Sequence, residues 1–325
     1  MRVISIKQWV IGTFAALLAV TGGPAVAWTD KPVRLVVPAP PGGSSDVLAR
    51  VVAEQLSAQI GQPVIVDNKP GGGGMIAVQA MLSAPADGQT LVVGPQSLMT
   101  EIPLVLKLSF DPLKEMKPVA EMARGSLVFV ANPTLPASNL KELIAYAKAN
   151  PGKLNYASYS PGTASHYAGL VLNQKAGIDL LHVPYKGSPP ALTDVVSGEV
   201  QLMFDGMLTS LPLIKSGKIK AIAVTGSNRS ALLPQVPTFA ELGYPDVTFT
   251  NWLGAFASAK MTPELLAKIN AEIGKAVSDP KVRARLADLG LEQARPSTPT
   301  QLLQSVQTDY ARNAGIVKAF NIKLD

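Results

Sequence analysis

The chain has no cysteine, only two histidines in 325 residues, and charged side chains at just 16% of its positions. Without cysteine there is no disulfide, no thiolate nucleophile and no lipid anchored through a thiol, so an exported form must be stable on packing alone. The two histidines, His166 and His182, lack a His-Glu-x-x-His spacing, which leaves a metal ion poorly served. No Gly-x-Ser-x-Gly elbow and no Gly-x-x-x-x-Gly-Lys-Ser/Thr loop occurs, so serine hydrolase and P-loop nucleotidase chemistry lack their usual frames. The formal charge is +6, yet no run of lysine and arginine interleaved with aromatics is found. Nucleic acid is therefore not an expected partner.

What is present is apolar and long: 47% hydrophobic residues in a chain long enough for two domains of about 100–200 residues each. The first 27 residues read as a secretory signal. Arg2 and Lys7 precede the apolar run Trp9 to Val20, Gly22-Gly23-Pro24 follows, and Ala25-Val26-Ala27 supplies the small residues for cleavage after Ala27. The run is shorter than the ~20 apolar residues that span a bilayer. Cleavage removes two of the 29 basic residues and none of the 23 acids, leaving +4.

The mature chain is organised around Pro38-Ala39-Pro40-Pro41-Gly42-Gly43-Ser44-Ser45-Asp46, which joins the apolar run Val33–Val37 to an amphipathic stretch from Val47 to Ile60. Prolines end the strand, and the glycines leave amides uncovered. Ser44 or Ser45 is placed to cap the helix, with Asp46 in its first turn. Such a loop suits a carboxylate or phosphate, favoured by about 0.3–1 kcal/mol at a helix N-terminus; an ordinary turn between strand and helix is the alternative. For Asp46 the plainer role is a partner of the helix dipole, the other a ligand contact.

The same order of strand, polar loop and helix recurs at Val64–Val66 with Gly71–Gly74, and at Gln89–Val93 with Ser97. Residues 110–118 look irregular, and Leu127–Val130 reads as a strand leading into a second unit. There the loops Ser158 to Thr163 and Tyr185 to Ser188 follow strands, a helix begins near Ala164, and a strand from Val200 ends at Asp205. Helices from Thr262-Pro263-Glu264 onward, including one over 298–320, return to cover the first unit. The expected architecture is two doubly wound α/β lobes with a cleft at their strand ends. Lobe 1 comprises residues 28–130 and 250–325, and lobe 2 residues 131–249.

Gly72-x-Gly74-x-x-Ala77 offers an enzymatic alternative, a dinucleotide loop, but no acidic residue ends the next strand as that reading requires. Asp205 is either a receiver for a ligand ammonium or a loop-capping carboxylate. The strand-end loops together supply hydroxyls and amides with Lys186 as their single cation, an inventory suited to holding a small carboxylated solute.

Pro38 to Asp46, Asn68 to Gly74, Gly162-Thr163-Ala164-Ser165-His166 and His182 to Gly187 are similar to motifs of the Bug family, the periplasmic solute-binding proteins of tripartite tricarboxylate transporters; Tyr185 to Asp194 is the most specific match. The resemblance implies a type II periplasmic binding fold, monomeric and without cofactor, closing on a di- or tricarboxylate, an acidic amino acid or an aromatic acid. It would deliver that ligand to membrane permease subunits, or serve as a sensor for a signalling partner. Ligand contacts implied in lobe 1 are Ala39, Pro40, Gly42, Gly43, Ser44, Ser45, Gly73 and Ser97. In lobe 2 they are Ser158, Gly162, Thr163, His166, Tyr185 and Asp205. Ala39 stands where the family usually has an aromatic residue, and Gln201 where an acid is common.

Overall fold

A computed structural model describes residues 28–319 and residue 322; the expected signal peptide and Phe320 lie outside the described residues. Val33–Val37 forms β1, and after the proline-rich turn α1 spans Ser44–Ile60. Leu48, Val52 and Leu56 of α1 are fully buried against the sheet. Each such side chain contributes about 1.5–3 kcal/mol, far more than the few tenths that β-branched Val51 and Val52 lose as helix formers. Gly61, left-handed at φ +68°, ends the helix by donating its N–H to the Ser57 carbonyl.

The chain continues through β2 (Val64–Asn68), α2 (Met75–Leu82) and β3 (Thr90–Pro95). Three short helices follow: α3 (Ser97–Thr100), α4 (Ile102–Val105) and α5 (Pro112–Glu115). Of residues 110–118, expected to be irregular, Pro112 onward are instead α5 and the start of a long strand, β4 (Met116–Ala131). Asp111 caps α5 by accepting from the Leu113 N–H, and β4 owes its first half to pairing with a strand far later in sequence, which no local pattern announces.

The second unit is α6 (Leu140–Ala149), β5 (Leu154–Ser158), α7 (Ala164–Ala176), β6 (Leu180–Pro184), α8 (Ser188–Ser197), β7 (Leu202–Gly206), α9 (Met207–Lys215) and β8 (Lys220–Val224). Then come β9 (Thr250–Ser258), α10 (Pro263–Ser278), α11 (Pro280–Asp288), β10 (Glu292–Gln293) and α12 (Pro299–Ala319). Pro263 at the first position and the Thr262 hydroxyl accepting from the Leu265 N–H start α10 as expected.

Two sheets share β4. In the first the order is β2-β1-β3-β9-β4-β10, with β1 parallel to its neighbours and β9 antiparallel to both of its own. In the second it is β8-β4-β7-β5-β6, with β5 parallel to β6 and β7. Apolar clusters cover both faces of each sheet. The partner of β4 changes between Ser126 and Leu127. The chain returns into the first sheet at Thr250. Among the described residues no helix is long and apolar enough to cross a membrane.

Candidate functional site

A cavity of about 400 Å3 lies where the strand ends of the two sheets face one another, within the range of small-molecule sites. On the first lobe its wall is the loop before α1. Burial alone would push the Asp46 carboxyl up, but hydrogen bonds from Arg50, the Gly42 N–H and Asn68 outweigh it and hold the carboxyl below its ordinary range. Arg50 forks onto both carboxylate oxygens at 2.9 and 3.1 Å, and the Gly42 N–H and Asn68 Nδ2 donate at 2.9 Å each. Asn68 also donates to the Ala39 carbonyl. Asp46 is thus the brace of the loop, and it does not line the cavity.

The brace changes which amides remain. The Gly42 N–H is committed to Asp46 and the Gly43 N–H to the Pro40 carbonyl at 3.1 Å. The helix cap is Gly43 itself, extended at φ −71° with no side-chain cap, so neither Ser44 nor Ser45 caps as expected. Both are already helical, and their N–H groups have no partner one turn back. Ser97 also lines the cavity and is 3% exposed, and its buried hydroxyl has no hydrogen-bond partner among the described residues. A buried hydroxyl left unmade costs about 1–3 kcal/mol, a cost that a bound acceptor would remove.

The second lobe uses its hydroxyls internally. Thr163 donates to the Ser160 carbonyl at 2.7 Å, Tyr185 to Asp194 at 2.5 Å and Ser188 to Asp205 at 2.5 Å. Burial and Asp194 push the Tyr185 hydroxyl up to about 12. Asp205 is fully buried and also accepts from Thr209 and Ser210 at 2.5 and 2.7 Å. Burial raises its pKa against these three hydroxyls.

Of the residues expected to hold ligand, Ala39, Gly43, Ser44, Ser45, Gly73, Ser97, Thr163 and Tyr185 line the cavity. The other six do not, each for a visible reason. Pro40 lies against Gly187 across the cleft, where a β-carbon on the glycine would come within 2.4 Å of its ring. Gly42 and Gly162 spend their amides on Asp46 and on His166 Nδ1 at 3.3 Å. Ser158 is bonded to His182 Nε2 at 2.7 Å, and His182 stacks on His166 with ring centres 3.9 Å apart. Burial, with His182 beside it, lowers the pKa of His166 to about 3, so the pair is neutral scaffolding behind the wall. Asp205 is fully buried and enclosed by its three hydroxyls.

Apolar wall residues were not expected: Leu98, Ile102 and Leu106 from one lobe, Met207 and Leu208 from the other, and Leu253 and Leu291. A leucine facing a ligand and a leucine facing a core carry the same sequence signal, so nothing in the pattern marked them. The glycine loop is filled from this side, since a β-carbon on Gly74 would lie 2.5 Å from Leu98 and one on Gly73 2.8 Å from Leu106. That leaves no open cradle of the kind a pyrophosphate needs.

Known proteins share the architecture of this chain. The family model described as "Tripartite tricarboxylate transporter family receptor" matches residues 48–322. The chain is 35% identical to Protein BugT of Bordetella pertussis over 320 residues, 97% of both chains. Among solved structures, R. palustris Rpa4515 with adipate superposes with a TM-score of 0.87 at 31% identity, over 91% of this chain and 99% of that one. The periplasmic binding protein BugD does so at 0.85 and 31%, with the same coverage. Two α/β lobes around an interlobe cleft are the architecture of these periplasmic binding proteins. With a family match over most of its length and the BugT likeness over 97% of it, the chain belongs to the tripartite tricarboxylate transporter receptors, the Bug proteins.

Proposed function

We propose that the protein is a periplasmic receptor, not an enzyme, that takes one small organic acid between its lobes and hands it to the permease subunits of a tripartite transporter. The mature chain would begin after Ala27, with one lobe of residues 28–130 and 250–325 and the other of 131–249. The observation that carries this reading is the buried, unpartnered Ser97 hydroxyl in the same cavity as the free Ser44 and Ser45 amides. Those donors match a carboxylate, and a helix N-terminus favours it by about 0.3–1 kcal/mol more. The adipate bound by the relative Rpa4515 supports an organic acid as ligand. For lobe 2 the cavity lining includes Tyr185, the Thr163 loop and, at the start of α9, Met207 and Leu208. Against an enzyme, no hydroxyl among the described residues lining the cavity is hydrogen-bonded to a histidine.

The test is to titrate the purified protein with a panel of organic acids, following thermal stability and acid concentration together. Saturable stabilisation with no consumption is expected, and Ser97→Ala should weaken binding about tenfold. Turnover of any acid, or Ser97→Ala binding as tightly as the wild type, would sink the reading.

A further inference from the structure

We infer that Glu101 couples closure of the lobes to the uptake of a proton, so that the receptor holds its ligand more tightly in mildly acid than in mildly alkaline medium. This rests on the receptor reading above and adds a regulation to it. Glu101 follows α3 on the first lobe and is 3% exposed, and its Oε2 has no hydrogen-bond partner among the described residues. What faces its carboxyl from the second lobe is the Ala164 N–H at the start of α7. That helix begins without a side-chain cap, and the Thr163 hydroxyl donates instead to the Ser160 carbonyl. Glu101 thus takes the place of a cap supplied by the opposite lobe.

The other neighbours do not offset a full negative charge. From α12 come Arg312 and Asp309, but the Arg312 guanidinium is exposed and pairs with Asp309 at 3.0 Å. Asn313, next along α12, donates to the Thr100 carbonyl and ties that helix to the first lobe. From the second lobe Tyr159 and Tyr167 bring hydroxyls kept neutral by burial, with Glu101 adding to the effect. Tyr167 donates to the Glu101 backbone carbonyl, not to its carboxyl, and His166 stacks on His182. An ionised carboxyl with a dry, bare oxygen is costly, so the closed arrangement favours the protonated form. Burial accordingly raises the Glu101 pKa to about 8. Parting the lobes removes the α7 side of the enclosure and returns the carboxyl to water, where its ordinary value is 4.5. Between those two values whatever stabilises the closed form also draws a proton from solvent.

Two measurements test the inference. Adipate is titrated calorimetrically into the mature chain at pH 6.5, 7 and 8.5, in buffers of differing ionisation enthalpy, and small-angle scattering of the unliganded chain is recorded at pH 5 and pH 9. The wild type should take up most of a proton at pH 7 and bind about tenfold or more tightly at pH 6.5 than at pH 8.5, and its unliganded radius should be smaller at pH 5. Glu101→Gln, neutral throughout, should bind with no uptake and near-constant affinity and be equally compact at both pH values. Asp309→Asn should behave as the wild type does. Adipate binding without uptake, or uptake that survives in Glu101→Gln, overturns the inference and leaves the receptor reading standing. If adipate does not bind, scattering decides: a contraction at pH 5 that Glu101→Gln lacks supports the coupling, and no contraction, or one the variant shares, overturns it. Failure of the whole panel of acids to bind removes the receptor reading itself.

Discussion

A buried carboxylate is defined by its neighbours, and Asp205 and Glu101 show two outcomes. Asp205 has three hydroxyls donating to it, from Ser188, Thr209 and Ser210. Asp205→Ala would leave those donors without an acceptor, so it should cost about 2–4 kcal/mol in urea unfolding, with any loss of affinity shared by all acids. A variant of wild-type stability that loses only amino-acid binding would contradict the assignment. Glu101, 3% exposed, sits where the lobes touch: the Ala164 N–H at the start of α7 faces its carboxyl, and Tyr167 donates to its backbone carbonyl at 3.4 Å. Burial raises its pKa to about 8, against the Ala164 N–H and Arg312, with Asp309 reinforcing the rise. A folded pKa above the ordinary 4.5 means that this contribution to stability is full below pH 4.5 and is lost as pH rises through about 8. Melting temperature should fall from pH 5 to pH 9, and Glu101→Gln should flatten that decline; an unchanged slope would refute it. The place of Asp205 in the chain was legible, but its partners were not. Asp205 at a strand end read equally well as a ligand group or a cap until Thr209 and Ser210 were seen turned back onto it.

At the scale of elements, the crossing between lobes is held by one threonine. The Leu127 N–H donates to the Thr225 hydroxyl at 2.9 Å, and that hydroxyl donates to the Phe249 carbonyl at 2.8 Å. The Thr225 backbone adds bonds to Leu127 and Phe249. Both points where the chain passes between sheets are therefore tied to the end of β8. Thr225→Val keeps the shape and strands a buried N–H and a carbonyl, so it should destabilise by about 1–3 kcal/mol and speed hydrogen exchange at Leu127 and Phe249. Exchange and stability like the wild type's would show that the clasp does not hold the crossing. The strands themselves were readable wherever local pattern decides: β1, β2, β5 and β6 run as short apolar stretches ended by polar loops. The first half of β4 was not, because its pairing with β9 joins segments more than a hundred residues apart.

In the whole molecule, the lobes meet through small residues. Gly187, at φ +124°, lies so close to Pro40 that a β-carbon would approach the ring to 2.4 Å. Proline has no rotamer by which to withdraw, so Gly187→Ala should hold the lobes apart and weaken organic-acid binding tenfold or more, as well as straining its own backbone. Pro40→Ala in the same chain should restore part of the affinity while leaving the strain. No rescue in that double variant, measured calorimetrically, would mean that the contact plays no part in closure. The alternation of strand, polar loop and helix, and with it the family, follows from the sequence alone, because these depend on residue types over short spans. The tertiary structure decided which donors are free. Ser97 keeps its hydroxyl unpaired while Thr163, Tyr185 and Ser188 spend theirs, and a hydrogen bond is settled by whichever acceptor the fold brings within 3 Å.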